Sequence, residues 1–105
     1  MATEDLQTEL RRAVDRLRTT ALSALARPGA DGRTPADAAY SVAQELADAA
    51  ARLEGEPARP LPRLGDPVVA DQLAVCGADL LALDPPASVA ERLRERVAGL
   101  RRTDP

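Results

Sequence analysis

Residues 66–83 read DPVVADQLAVCGADLLAL, and the fold is decided by how this stretch is interpreted. As a helix it puts Val69, Leu73, Cys76, Leu80 and Leu83 on one seam at i, i+3, i+4 and i+7 spacing. Its other faces are nearly apolar too, carrying Val68, Ala70, Ala74, Val75, Ala78, Leu81 and Ala82. Only Asp71, Gln72 and Asp79 interrupt them, and no basic residue occurs. A helix apolar almost all round belongs inside a bundle or at an interface. This third helix, expected over 67–83, should be shielded on most sides by its own chain or by a copy of it.

Asp66 stands as its N-cap and Pro67 as its first helical residue, while Asp84-Pro85-Pro86 ends it. A fourth helix follows over about 88–102, with Ser88 and Glu91 spaced as a capping box. Its stripe is Val89, Ala90, Leu93, Val97 and Leu100, and the tail RRTDP is expected to fray.

Upstream lies GEPARPLPRLG, residues 55–65, whose three prolines favour an extended path of about 34 Å over eleven residues. Such a connector crosses the whole fold or arcs over one end, with Leu61 and Leu64 as tethers. Its proline spacing fits Pro-rich docking motifs poorly, so stiffening is the preferred role.

Before it, a helix over about 35–54 opens with the N-cap Thr34 and Pro35 and stops at Gly55. It turns Ala39, Val42, Leu46, Ala49, Ala50 and Leu53 inward. A second face bears Tyr40, Ala43, Ala47 and Ala51. Packing within the chain is the preferred reading of that strip. A homodimer contact anchored by Tyr40, with Val68 and Val75 of the third helix as further contact residues, is the alternative. The first helix is expected over about 4–27, capped by Thr3, with a stripe from Leu6 through Leu10, Val14 and Leu17 to Leu25. Leu22 projects away from it.

These four segments imply one all-α domain over 1–105, a four-helix bundle of two antiparallel hairpins joined by the Pro-rich linker. Helix one has five Arg against four acids and helix four has five against two. Helix two has one Arg against four acids and helix three none against four. That imbalance favours acidic helices beside basic ones.

Composition excludes more than it offers. All 14 basic residues are Arg, His is absent, and there is one Cys. The usual zinc ligand sets, His-assisted nucleophiles, Schiff-base lysines and the P-loop are therefore impossible. Tyr40 is the only aromatic residue, so the core rests on Leu, Val and Ala, and modest stability makes dimerisation attractive. The richness in Ala, Arg and Pro suggests a GC-rich bacterial genome. No apolar run is long enough to span a membrane. The acidic opening MATEDLQTEL lacks a secretory pattern, which points to the cytoplasm.

What remains is carboxylate chemistry with a hard cation such as Mg²⁺. Glu45 and Asp48 on helix two, with Asp71 and Asp79 on helix three, are its weak candidates. Glu45-x-x-Asp48 resembles the acidic helices of all-α nucleotide pyrophosphohydrolases of the MazG type, which hold Mg²⁺ between facing helices. The dense Glu-Glu-x-x-Glu run of that family is missing. Asp71 and Asp79 lie roughly 80° apart on a helical wheel, and Asp48 is placed to pair with Arg52. Solvated or paired charges are therefore preferred, and no metal or cofactor is expected.

Gln72 and Asp79 flank the third helix's seam. A buried Asp79 requires a partner, for which Arg96 is the candidate. Cys76 reads as a small buried apolar residue and Gly77 as the mark of a close helix crossing. Arg92, Arg94, Arg96, Arg101 and Arg102 raise nucleic acid as a partner. Intervening Glu91 and Glu95, an acidic chain and the lack of stacking rings make it the less favoured one. The leading expectation is a non-catalytic helical protein acting through protein contacts, as a homodimer or subunit. A Mg-dependent pyrophosphohydrolase-like enzyme and a nucleic-acid adaptor are the alternatives.

Overall fold

The computed structural model describes residues 1–103; of the tail expected to fray, Asp104 and Pro105 lie outside them. The described chain is all-helical, with five α-helices and no strand among the described residues. Its radius of gyration is 13.2 Å, the value of a compact chain of this length.

The first expected helix is two. α1 spans Ala2–Thr19 and a single turn, α2, spans Leu22–Leu25, with Thr20 and Ala21 extended between them. The Thr19 and Thr20 hydroxyls donate to the Asp15 and Arg16 carbonyls, so side chains compete for helix acceptors at the break. The bend swings Leu25 into a small cluster with Ala36, Ala39 and Val69, and leaves Leu22 in solvent as expected. The helix begins after Met1, and the expected Thr3 cap is not used.

α3 spans Pro35–Leu53 and begins as the sequence indicates, with Asp37 N–H donating to Thr34 Oγ1 at 3.0 Å. It ends in a Schellman motif: Gly55 sits at φ 71°, its N–H bonds the Arg52 carbonyl, and Glu56 N–H bonds that of Ala51. α4 spans Val69–Ala82 and follows a 3-10 turn at Asp66–Val68. Asp66 does not cap it, because its carboxylate accepts from Arg63 instead. α5 spans Ala87–Gly99 and continues as a 3-10 turn over Leu100–Thr103. The expected Ser88–Glu91 capping box is not made; Glu91 is turned to Arg94 at 2.7 Å.

The most extensive packing joins α3 to α4 and α1 to α5, with α1 also against α4 and α5 also against α3. The pairs linked by short turns, α1 with α3 and α4 with α5, are not among the extensive ones, contrary to the expected hairpins. Helix polarity follows from particular contacts. Arg63 reaches both Asp37 and Asp66, so α3 and α4 start at the same end and run parallel. Arg18 meets Asp71, and Leu10 lies against Gly77, so α1 runs antiparallel to α4. The connector therefore travels the length of α3, as its proline content allows.

The two most extensive pairings thus set acidic beside acidic and basic beside basic, against the charge-based expectation. That expectation holds only at the lesser contacts of α1 with α4, through Arg18 and Asp71, and of α5 with α3, through Arg96 and Glu45. Apolar seams decided the pairing: Leu6, Leu46, Leu73, Leu80 and Leu93 are all fully buried in one core. The charges lie on outer faces, where water screens them and each is worth little. Within α4 the seam residues Val69, Leu73, Cys76 and Leu80 are buried by the chain itself. The rear of that helix is not covered, with Val75 58% exposed, and Leu83, expected on the seam, lies past the end of the helix and is 37% exposed.

Candidate protein-binding groove

The uncovered rear of α4 belongs to a groove whose other walls are α3 and the connector. Ala47, Ala50 and Ala51 line it from α3, Val75, Cys76, Asp79 and Ala82 from α4, and Glu56, Pro57, Arg59, Pro60 and Leu61 from the connector. Small side chains on α3 keep its wall low, and α4 offers Val75 where no helix follows. The groove measures about 890 Å³ and opens to solvent.

The connector wall is fixed by side chains of α3 and α4. Tyr40 Oη donates to the Leu61 carbonyl at 2.6 Å. Gln44 accepts from Leu61 N–H at 2.7 Å and donates to the Arg59 carbonyl at 3.0 Å. Gln72 Nε2 donates to the Pro62 carbonyl at 2.9 Å. The Arg63 guanidinium stands 5.4 Å over the Tyr40 ring while its nitrogens bond Asp37 and Asp66. Arg63, then Thr34, hold the Asp37 carboxyl below its ordinary range. Leu61 packs on the core as expected of a tether; Leu64 is 58% exposed and does not.

The Tyr40 strip is therefore divided. Tyr40 is half-buried under the connector and Ala43 is fully buried, so these two serve the chain's own packing. Ala47, Ala51 and Val75 face the groove. Val68 is half-buried in the 3-10 turn ahead of α4.

The proposed Asp79–Arg96 pair does not exist. Asp79 is exposed on the groove rim, and Arg96 makes a forked contact with Glu45 at 2.9 Å. The residues sit on α4 and α5, which pack little against each other, so Arg96 is out of reach of Asp79. Gln72 is half-buried, and its Oε1 is enclosed without a partner while its amide serves the connector. Cys76 lies on the groove floor, 7% exposed; burial, and secondarily Asp79, push its thiol pKa up.

The four carboxylates weighed for Mg²⁺ are not brought together. Glu45 is held by Arg96, Asp48 accepts from Gln44 Nε2 and Asp71 from Arg18, while Asp79 stands alone on the rim. Among the described residues no three acidic or sulfur ligands converge on a cation position. Two arginines of α5 are similarly engaged, Arg94 with Glu91 and Arg96 with Glu45, and Arg101 in the turn that follows is held by Glu9; Arg92 is in no ion pair with a described residue.

Two structural residues escaped the sequence reading. Glu9 is one of the four acids of the first expected helix, yet it is 9% exposed and bonded by Arg101 at 3.1 Å. Its place between Leu6 and Ala13, on the α1 stripe, was the available signal. Gln44, four residues after Tyr40 in a strip of small residues, was the other.

A second hollow, about 80 Å³, sits where α1 breaks and is lined by Leu17, Leu25, Ala39 and three arginines. Two of these are committed, Arg101 to Glu9 and Arg16 to the Arg101 carbonyl. No helix among the described residues is long and apolar enough to cross a membrane. Compared with protein-family models, curated proteins and solved structures, the chain finds no match, and its function has to be argued from its own geometry.

Proposed function

We propose that this is a non-catalytic helical protein that works by holding another protein chain in the groove between α3, α4 and the connector. One observation carries the reading: Val75, 58% exposed, projects into a hollow walled largely by alanines, prolines and a braced connector, with Glu54, Glu56, Arg59 and Asp79 also in its lining. A groove with apolar walls and fixed sides is suited to an inserted apolar segment. The reading extends to the architecture as a four-helix bundle with one long crossover, and to the cytoplasm, where a lone thiol stays reduced.

The test is a comparison of wild type and Val75→Glu as baits in the host organism. The exposed site tolerates the change, so the fold is retained by circular dichroism. A defined partner that crosslinks to wild type and is lost from the variant is the expected result. Retention of every crosslinked partner by Val75→Glu removes the groove from the function.

A further inference from the structure

We infer that the occupant of the groove is an amphipathic helix of a partner protein, carrying Lys or Arg beside its apolar face; this rests on the protein-contact reading above. Three features of the groove select that chemistry.

Size comes first. A helix contacting the groove over two turns needs walls about 10 Å long. The walls agree: Ala47 to Glu54 on α3 and Val75 to Ala82 on α4 each run about 10 Å, also two turns.

Charge comes second. Glu54, Glu56 and Asp79 stand on the rim against one cation, Arg59. None of the three carboxylates is in an ion pair with a described residue. Because α3 and α4 run parallel, both end beside this rim, and each C-terminus adds about half a negative charge there. The potential at the groove mouth is therefore set for cations flanking the inserted face.

The third feature disfavours a second copy of the chain. A two-fold contact through this groove would bring the acidic rim of one copy, Glu54, Glu56 and Asp79, up to the same acidic rim of the other. A head-to-tail contact through α5 would find Arg94 and Arg96 already held by Glu91 and Glu45, which leaves Arg92 as the one cation of that helix outside an ion pair with a described residue.

Two synthetic peptides of about fifteen residues test this, sharing Leu at i, i+4, i+7 and i+11 but flanked by Lys in one and Glu in the other. Each is titrated into the full chain by fluorescence anisotropy, with amide shifts mapping the site. The Lys peptide should bind at least about tenfold more tightly than its twin, shifting Ala47, Ala51 and Val75. Glu54→Lys with Asp79→Lys should reverse that order. Val75→Glu adds a carboxylate, so it should weaken binding if the apolar face seats in the groove, and tighten it if charge alone attracts. Equal binding of the two peptides, tightening by Val75→Glu, or an unchanged order in the Lys variant overturns the inference. Sedimentation of the free chain separates the two levels of the argument. If the wild type dimerises at micromolar concentration and Val75→Glu is monomeric, a copy fills the groove, and only the basic-helix occupant is overturned. If neither peptide binds and the chain stays monomeric, the protein-contact reading fails with it.

Discussion

Gly77 of α4 lies directly against Leu10 of α1: a Cβ built on the glycine would stand 2.7 Å from Leu10 Cδ1. No real Cβ tolerates that distance, so the two helices approach as closely as they do because position 77 has no side chain. Gly77→Ala should gain about 1 kcal/mol of helix propensity and lose about 1–3 kcal/mol to overpacking, for a net loss in urea unfolding. Leu10→Ala alone should cost about 2–5 kcal/mol through its cavity. Combined with Leu10→Ala, the Gly77→Ala change should become stabilising, a coupling that a double-mutant cycle reads directly. Additive losses would mean that the contact is not what holds this crossing.

The connector's bracing gives a second expectation. Tyr40→Phe removes the donor to the Leu61 carbonyl and should cost about 0.5–1.5 kcal/mol. Gln44→Ala frees both Leu61 N–H and the Arg59 carbonyl. Because the connector is largely exposed, water replaces those partners, and the main effect should be local opening. Trypsin should then cut after Arg63 faster in Gln44→Ala than in wild type, while Arg59 stays protected by Pro60 in both. Equal cutting rates would show that the side-chain bonds do not hold the connector.

Helix α3 was legible to within a residue because Thr34-Pro35 and Gly55 are strong local signals that tertiary contacts had no reason to override. The break at Thr20 was not, since its cause is a pair of hydroxyl-to-carbonyl bonds together with a distant gain, the burial of Leu25 beside Val69. The two most extensive pairings were misjudged because charge was weighed above apolar area, while the lesser acidic-beside-basic contacts do occur. Burying a Leu side chain is worth about 1.5–3 kcal/mol, whereas an exposed ion pair is worth about 0–1 kcal/mol. Half of the groove strip was visible as Ala47, Ala51 and Val75. Its closure by the connector was not, because polarity of α4 relative to α3 is a long-range property that 55–65 leaves open.

Glu9 and Arg101 supply a third prediction. The Glu9 side chain is 11% exposed, its Oε1 bonds Arg101 and lies 3.6 Å from Arg12, and Oε2 has no partner. Breaking a fully buried pair costs about 3–5 kcal/mol, but Arg101 is 41% exposed, so solvent screening brings Arg101→Ala down to about 1–2 kcal/mol. Glu9→Met, which removes the buried charge and keeps the volume, should be neutral or stabilising by thermal unfolding. A larger loss from Glu9→Met than from Arg101→Ala would make the carboxylate a stabilising element rather than a tolerated one.

Asp37 provides a pH dependence with a definite sign. Its pKa is lowered below the ordinary 3.8, first by the Arg63 hydrogen bond and then by Thr34. A carboxyl depressed in the folded state adds stability above its unfolded pKa and loses it as pH falls through the folded one. Its contribution should be whole above about pH 4 and fade below it, and it is small because the side chain is 50% exposed. Carbon-detected titration of wild type and Arg63→Ala checks this, with the Asp37 midpoint moving up in the variant. An unmoved midpoint would assign the shift to Thr34 alone.

Cys76 reports on the same groove from its floor. The thiol is 7% exposed and its pKa is pushed up, by burial and then by the Asp79 charge, so little thiolate exists at neutral pH. Labelling with a thiol reagent in the folded state should therefore be slow and should approach the free-cysteine rate only in urea. Asp79→Asn removes the charge contribution and should speed labelling modestly, while Gln44→Ala, by loosening the connector wall, should speed it more. If Asp79→Asn dominates instead, electrostatics rather than access protects the thiol, and the connector is not the gate to the groove floor.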